Sequence, residues 1–387
     1  MRDIAIVSIA RTPVGRATKG NLRDTRPDTL GAIVVKEALA RAKGVDPESV
    51  GDIVIGTAFP EGEQGMNVAR LIGVLAGLPY SVPAMTVNRF CSSGLQAIAI
   101  AAGRIALGGI DIAIAGGVES MSIIPMTGTK PSLNPDIVEQ YPEAFSAMGN
   151  TAEIVAKRFD VPRQVQDEFA CNSHMKAVAA MRAGKFKNEI VPISTKIYEE
   201  GGARNVTVSE DELPRPETTV ESLSKLRPAF YKTGTVTAGN SSPLSDGAAA
   251  AVLMTVEKAK ELNLKPLGII RHFVVVGVPP DIMGIGPIPA IRRLMEVSGL
   301  KQDDIDVYEV NEAFAAQAAY CLRELELNPA TVNPNGGAIA LGHPLGGTGA
   351  ILTAKLLYEL QRTKKRYGVV SMCIGGGMGA AGLFERA

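Results

Sequence analysis

The sequence predicts an α/β protein made of two copies of one strand-and-helix unit, with a lobe inserted into the first copy, and three observations carry this reading. First, short runs rich in branched residues end in glycine, as buried parallel strands do: "DIVIG" at 52–56 and "DIAIAGG" at 111–117. Second, they alternate with helical spacing, as in "DTLGAIVVKEALARAK" from Asp28 to Lys43, where Asp28 or Thr29 is the expected N-cap. Third, the grammar repeats. "ALARAKGVDPESVGDIVIG" (38–56) and "RLMEVSGLKQDDIDVYEVN" (293–311) each read as a helix, a Gly-led turn, an acidic stretch and a strand opening with Asp. "TVN" likewise occurs at 86–88 and at 331–333, each time before a glycine- and alanine-rich stretch and a strand that runs into glycines.

Between the copies, residues 119–245 differ in composition. Turn-rich pieces ("GTKPSLNPD", "EEGGARN", "ELPRPETT") surround a helical run, "RQVQDEFACNSHMKAVAAMRAG". That is too long for a plain loop, so an inserted lobe is expected. The expected division is 1–118 with 246–266 as the first half, 119–245 as the lobe and 267–387 as the second half.

Bulk properties bound the function. A chain of 387 residues exceeds one ordinary core. Forty basic and forty acidic residues cancel, so nothing in the balance suggests a nucleic-acid surface or an anionic-membrane surface; any anionic ligand must be held locally. Cys91, Cys171, Cys321 and Cys373 lie far apart with no CxxC pair, against both a disulfide framework and a zinc site. "MRDIAIVSIARTP" goes straight into a strand pattern without the layout of a signal peptide. The longest apolar stretch, 97–117, is interrupted by Arg104 and Asp111, so no membrane span is expected. A cytoplasmic protein is the expectation.

Two sheets related by duplication bring matching strand ends together, where α/β folds place their sites. The first copy offers Cys91 in "VNRFCSSGLQ"; the second offers "NGGAIALGHPLGGTG" and "MCIGGGMGAAG". Gly377, Gly379 and Gly382 match the spacing of a dinucleotide fingerprint, but neither a helix nor an acidic ribose partner follows, so that match is set aside. Of three histidines, His174 and His272 sit in helical and strand-like runs and read as structural. His343 lies among Gly342, Pro344 and Gly346, a context that exposes a polar ring to a cavity.

"VNRFCSSGLQ", "NEAFAAQ", "GGAIALGHPLGGTGA" and "CIGGGMGAA", with "LRPAF" and "TVTAGNSSPLSDGAAA", resemble the thiolases, the acetyl-CoA acyltransferases of the thiolase superfamily, from "ARTPVG" to the last strand. The resemblance implies a five-layer αβαβα fold of duplicated halves with an inserted loop domain. It implies cleavage of 3-ketoacyl-CoA by CoA through an acyl-enzyme on Cys91, with coenzyme A as co-substrate and no permanently bound cofactor. Cys91 is then the nucleophile, and its place at the start of a helix favours a lowered pKa. His343 resembles the base that takes its proton, and Cys373 the acid/base that protonates the departing acetyl-CoA carbanion and activates CoA. Asn311 resembles the family asparagine that holds a catalytic water. The backbone N–H groups of Cys91 and Gly375 form an oxyanion hole, and the glycine run leaves room for the thioester. In the lobe, Arg215, Ser222, Phe230 and Ser242 fall where relatives contact CoA. Relatives are homodimers or homotetramers, and some join a β-oxidation hydratase/dehydrogenase.

Ala147, where biosynthetic thiolases carry a histidine, and the "RPETTVESL" stretch point toward the degradative 3-ketoacyl-CoA thiolases. Gly347 stands where relatives often carry Cys or Ala. Three alternatives stay open: a ketoacyl-synthase-type condensing enzyme, which Cys373 argues against; a biosynthetic acetoacetyl-CoA thiolase, which Ala147 argues against; and a non-catalytic acyl-CoA-binding module.

Overall fold

The structure, a computed structural model, describes residues 2–387. Its first part runs β1 (Ile4–Arg11), β2 (Gly15–Arg16), α1 (Pro27–Arg41), β3 (Val50–Gly56), α2 (Val68–Leu75), β4 (Ala84–Val87), α3 (Ser93–Ala106) and β5 (Ile112–Ser120). β1 and β5 are buried along their whole length, which is why they read as continuous apolar runs. β3 lies parallel to both β4 and β5, as "DIVIG" and "DIAIAGG" predict. The N-cap of α1 is Arg26, two residues before Asp28 and three before Thr29: Pro27 occupies the first helical position, and the Asp28 carboxylate sits in the first turn, paired with Arg26.

Residues 121–244 contribute no strand to the main sheet. They hold α4 (Pro135–Gln140), α5 (Met148–Arg158), α6 (Arg163–Arg182), the hairpin β6 (Ile193–Glu199) and β7 (Gly202–Val208), and α7 (Val220–Ser224). The chain then returns through β8 (Ser245–Thr255), α8 (Val256–Glu261), β9 (Gly268–Gly277), α9 (Pro287–Ser298), β10 (Val307–Val310), α10 (Ala315–Glu324), α11 (Ala338–Leu341), α12 (Leu345–Thr363), β11 (Tyr367–Ile374) and β12 (Met378–Arg386). "GMGAAG" lies in the β11–β12 turn and strand β12, not at a helix start.

The main sheet has the order β10-β11-β12-β9-β1-β8-β5-β3-β4, with β2 beside β8. Within the sheet, its two wings are joined where Ile4, Ala5 and Ile6 meet Ile270, Ile269 and Gly268. Each wing repeats one plan. The unit α1–β3 matches α9–β10, each with a short 3-10 turn before the strand, and β5 with antiparallel β8 matches β11 with antiparallel β12. Val332 of the second "TVN" pairs with Tyr308 of β10, as β4 pairs with β3.

Three apolar cores stack through the molecule. Leu30 and Val34 of α1 pack on one face of the first wing, against Ile53, Ile55 and Ile114. The other face of that wing meets α3 and α12, whose Leu95, Ile98, Leu352 and Leu356 also cover Val370, Met372 and Phe384 of the second wing. α9 then covers the far face through Ile288, Ile291 and Leu294. This is a five-layer αβαβα sandwich, and α3 and α12 form its shared middle layer.

The helices of the inserted segment dock away from the copy that carries it. They pack mainly on the second half: Ala152 and Ala156 of α5 join Phe314, Ala316 and Cys373, while Ala177 and Ala180 of α6 join Ala340 and Leu341. A segment inserted into one copy thus walls the strand ends of the other.

Candidate active site

β4 ends at Val87, and the chain turns sharply to reach α3. The Asn88 side chain fixes that turn, donating to the Ala58 carbonyl (3.0 Å) and accepting from the Phe90 N–H (2.8 Å). Phe90 is held at φ +43°, a strained conformation for a bulky residue, and Phe90–Ser92 form one 3-10 turn before α3 begins. Cys91 therefore emerges at the junction, 8% exposed, among Ala17, Ala58, Met121 and Leu345. Leu345 comes from α12, two residues beyond His343.

The remaining candidates come from the second half. Asn311 follows β10, fully buried, with its N–H on the Ser371 carbonyl (2.9 Å). Its Nδ2 stands 3.3 Å from His343 Nε2, and its Oδ1 has no hydrogen-bond partner among the described residues. His343 is 4% exposed; its backbone N–H donates to Ser245 Oγ (3.1 Å), and its Nδ1 lies 2.6 Å from Thr348 Oγ1. Cys373, wholly buried near the end of β11, packs with Met148 and Phe314. Gly375 turns the chain toward β12, and its N–H is directed at the Cys91 sulfur. A Cβ on Gly375 would meet only Met148 and Phe90, at ordinary contact distance. Gly377 is required by the backbone itself: φ is +87° and a Cβ would overlap the Val278 carbonyl.

The structure thus brings Cys91, Gly375 and Cys373 together, and joins Asn311 to His343. Cys91 and His343 share no direct hydrogen bond; catalytic contacts of this kind commonly tighten only when substrate is bound.

The electrostatics correct one expectation. Burial pushes the Cys91 thiol up to about 11, and the nearby Glu119 charge adds to this; the N–H groups of Gly375 and Cys91 itself pull it back only in part. Desolvation outweighs the helix terminus, so Cys91 rests as a thiol and not as the pre-formed thiolate expected from sequence. Burial also pulls His343 down to about 4, leaving a neutral imidazole. Cys373 is raised well above the usual thiol range by burial, with Cys91 and Cys321 raising it further. Burial thus favours the uncharged form of all three side chains.

The four lobe positions separate into two pairs. Phe230 meets Phe314 edge-on at 6.0 Å, and the Ser242 N–H bonds the Ala313 carbonyl (3.0 Å), so both border the Asn311 loop. Arg215 is exposed, with its backbone N–H on His174 Nδ1 (3.2 Å). Ser222 spends its hydroxyl in a capping box with Thr219 at the start of α7. Neither touches the reactive groups. His174 and His272 lie in α6 and β9 as expected.

Two contributors escape sequence reasoning. Glu119, at the end of β5, is 1% exposed and accepts from the N–H groups of Ala58 (2.7 Å), Gly346 (2.8 Å) and Phe59 (3.3 Å), and from Gln64 (2.6 Å). It clamps the start of α12, and with it the His343 loop, to the first wing. A carboxylate at the glycine-rich end of a buried strand was the available signal. The second is Thr348, hidden inside the motif that carries His343. Among the described residues, no group of three or more His, Cys, Asp or Glu is arranged to hold a metal ion.

Comparison with known proteins agrees over the whole chain. The family model described as "Thiolase, N-terminal domain" matches residues 4–257, and "Thiolase, C-terminal domain" matches 264–386. The 3-ketoacyl-CoA thiolase of Bacillus subtilis (strain 168) is 56% identical over 392 aligned positions, spanning all of both chains. The peroxisomal 3-ketoacyl-CoA thiolase A of Mus musculus is 49% identical, covering 99% of this chain and 91% of that one. Among solved structures, the Bacillus anthracis acetyl-CoA acetyltransferase superposes with a TM-score of 0.91 at 40% identity, covering 100% of this chain and 99% of that one.

Proposed function

The chain belongs to the thiolase family of acyltransferases, and on that premise we propose that it is a 3-ketoacyl-CoA thiolase in which Cys91, His343, Cys373, Asn311 and Gly375 do the chemistry. The observation that carries the residue assignment is the convergence of one thiol from the first half with a second thiol, a directed N–H and a paired Asn–His from the second.

The steps balance on these residues alone. His343 Nε2 takes the Cys91 proton as the sulfur attacks the keto carbon, so charge appears only when substrate supplies an electrophile. The Cys91 and Gly375 N–H groups receive the alkoxide that forms. The carbon–carbon bond then breaks; Asn311 and the protonated His343 face the enolate oxygen of the departing acetyl-CoA, and the Cys373 thiol protonates its carbon. In the second half-reaction Cys373 thiolate takes the proton of incoming CoA, whose sulfur attacks the Cys91 thioester. Cys91 leaves as thiolate and regains its proton from His343. One 3-ketoacyl-CoA and one CoA give acetyl-CoA and a shortened acyl-CoA, with CoA consumed as co-substrate.

Arg215, Ser222, Phe230 and Ser242 remain the proposed CoA contacts, Phe230 and Ser242 near the reacting carbon and Arg215 toward the nucleotide. The division into 1–118 with 246–266, 119–245 and 267–387 belongs to the same reading, supported by the absence of main-sheet strands between β5 and β8. A homodimer fits the edge strand β4: it ends the sheet, and α2 beside it exposes Leu71, Val74 and Leu75, near exposed Met66 and Tyr80. No helix of the described residues is long and apolar enough to cross a membrane. A cytoplasmic setting is supported by the bacterial relative; the peroxisomal relatives mark the alternative.

A second reading, the biosynthetic acetyl-CoA acetyltransferase, is favoured by the name of the solved neighbour at 40% identity, and weighed down by the 56% relative. CoA-dependent cleavage of four-carbon and sixteen-carbon 3-ketoacyl-CoA, with Cys91→Ala as control, separates them. Preference for the long chain supports the degradative reading; activity confined to the four-carbon substrate overturns it.

A further inference from the structure

We infer that Thr348 is a positioning residue for the base: its hydroxyl accepts the Nδ1–H of His343 and so keeps Nε2 as the unprotonated nitrogen on the reactive side. This rests on the proposed role of His343 and names what orients it.

The imidazole has two polar neighbours, Thr348 Oγ1 at 2.6 Å from Nδ1 and Asn311 Nδ2 at 3.3 Å from Nε2. With the amide nitrogen of Asn311 turned to the ring, Nε2 accepts from it and the proton of a neutral ring sits on Nδ1. Thr348 is thereby the acceptor. Its Oγ1 is rigidly placed: the residue is 1% exposed, stands in the first turn of α12, and has a β-branched side chain with restricted χ1. The same turn is anchored elsewhere, since the Gly346 N–H is held by Glu119 (2.8 Å) and the His343 N–H by Ser245 (3.1 Å). The backbone on both sides of the ring is thus fixed, and the Thr348 hydroxyl, by engaging Nδ1, holds the ring with Nε2 toward Asn311.

The choice of a hydroxyl has a chemical consequence. A carboxylate in this place would stabilise the imidazolium and raise its pKa, whereas a neutral acceptor fixes the tautomer while leaving the ring uncharged. When Nε2 takes the Cys91 proton, the Nδ1–H to Thr348 bond persists unchanged, so the ring can hand that proton back without turning.

The test uses full-length enzyme labelled with nitrogen-15 at histidine; only three histidines are present, and His343→Asn assigns the signal. The ring nitrogens report the tautomer directly, independent of turnover. In wild type, the His343 signals should show protonated Nδ1. Thr348→Val keeps the shape and removes the acceptor; it should shift the ring away from that tautomer and slow acylation of Cys91 about tenfold or more, the scale of one hydrogen bond left unmade. Thr348→Ser should restore both. A valine variant with the wild-type tautomer, or with the wild-type acylation rate, overturns the inference. If His343→Asn itself acylates normally, the base assignment falls first, and the tautomer measurement still reports on Thr348.

Discussion

Two glycines of α3 give the sharpest test of how this fold positions its chemistry. Cys91 enters α3 and His343 enters α12, so the spacing of those two helices sets the separation of nucleophile and base. At Gly94 a Cβ would stand 2.8 Å from the Ala350 N and 2.9 Å from the Gly346 O, both backbone atoms of α12. At Gly103, in the same helix, it would meet nothing within 4 Å. Helix propensity alone predicts that alanine stabilises at either position, by about 1 kcal/mol. At Gly103 that gain should be realised, at about 0.5–1 kcal/mol. At Gly94 the helices must part by about 0.6 Å to turn a 2.8 Å approach into ordinary contact at 3.4 Å. Overpacking of this kind costs about 1–3 kcal/mol, which cancels the propensity gain of about 1 kcal/mol and leaves a net loss of up to about 2 kcal/mol. Since misplacement by about 1 Å can cost a hundredfold in rate, a shift of this size should slow acylation of Cys91 by about tenfold. Urea unfolding gives the stabilities, and rapid-quench mass spectrometry of the acyl-enzyme gives the rates. Gly94→Ala as stable and as active as Gly103→Ala would refute the claim that glycine contacts between α3 and α12 set the site.

Other outcomes follow from the same geometry. Cys373→Ala should still accept an acyl group on Cys91 from a simple acyl-CoA, yet lose carbon–carbon cleavage by about a hundredfold or more, measured as loss of 3-ketoacyl-CoA enolate absorbance; normal cleavage would remove its acid/base role. His343 has a folded pKa of about 4 against an ordinary 6.5, so its contribution to stability is present above 6.5 and is lost as pH falls toward 4. Between pH 7 and about pH 5, wild type should therefore lose about 2 kcal/mol more than His343→Asn does in urea titrations; equal losses would contradict a buried neutral ring. Cys91 runs oppositely, its contribution present below 9 and lost as pH rises through about 11, so thiolate absorbance should be absent at neutral pH and appear only in that alkaline window. Arg215→Ala should raise KM for CoA about three- to tenfold with kcat held, and an unchanged KM would move the nucleotide elsewhere.

Much of the architecture was legible because duplication leaves two records of one plan. "ALARAKGVDPESVGDIVIG" and "RLMEVSGLKQDDIDVYEVN" did become equivalent helix–turn–strand units, α1 to β3 and α9 to β10. The two "TVN" asparagines also do similar work: Asn88 binds the Ala58 carbonyl, and Asn333 brackets Val310 through its N–H (2.9 Å) and carbonyl (2.8 Å). The motifs that resemble the thiolases singled out Cys91, His343, Cys373, Asn311 and Gly375, and each of these stands at or beside the end of a strand or helix. What sequence could not supply was tertiary. Position at a helix start suggests an acidic thiol, but only the packing of Ala17, Ala58, Met121 and Leu345 reveals the desolvation that reverses the shift. Glu119 looks like the polar end of a strand until its donors from residues 58, 59, 64 and 346 are brought together. Ser222 matches a family contact in the motif, whereas its hydroxyl is engaged by a local cap. The docking of α5 and α6 on the second half is likewise invisible to a reading that sees only where the segment is inserted.

The central claim is that the acyl group passes through Cys91. The direct measurement is mass spectrometry of peptides from enzyme quenched after mixing with 3-ketoacyl-CoA without added CoA. A shortened acyl group is expected on the Cys91 peptide, absent in Cys91→Ser and discharged as acyl-CoA when CoA is added. An acyl group found on Cys373 instead, or CoA-dependent cleavage that survives in Cys91→Ser, would contradict it.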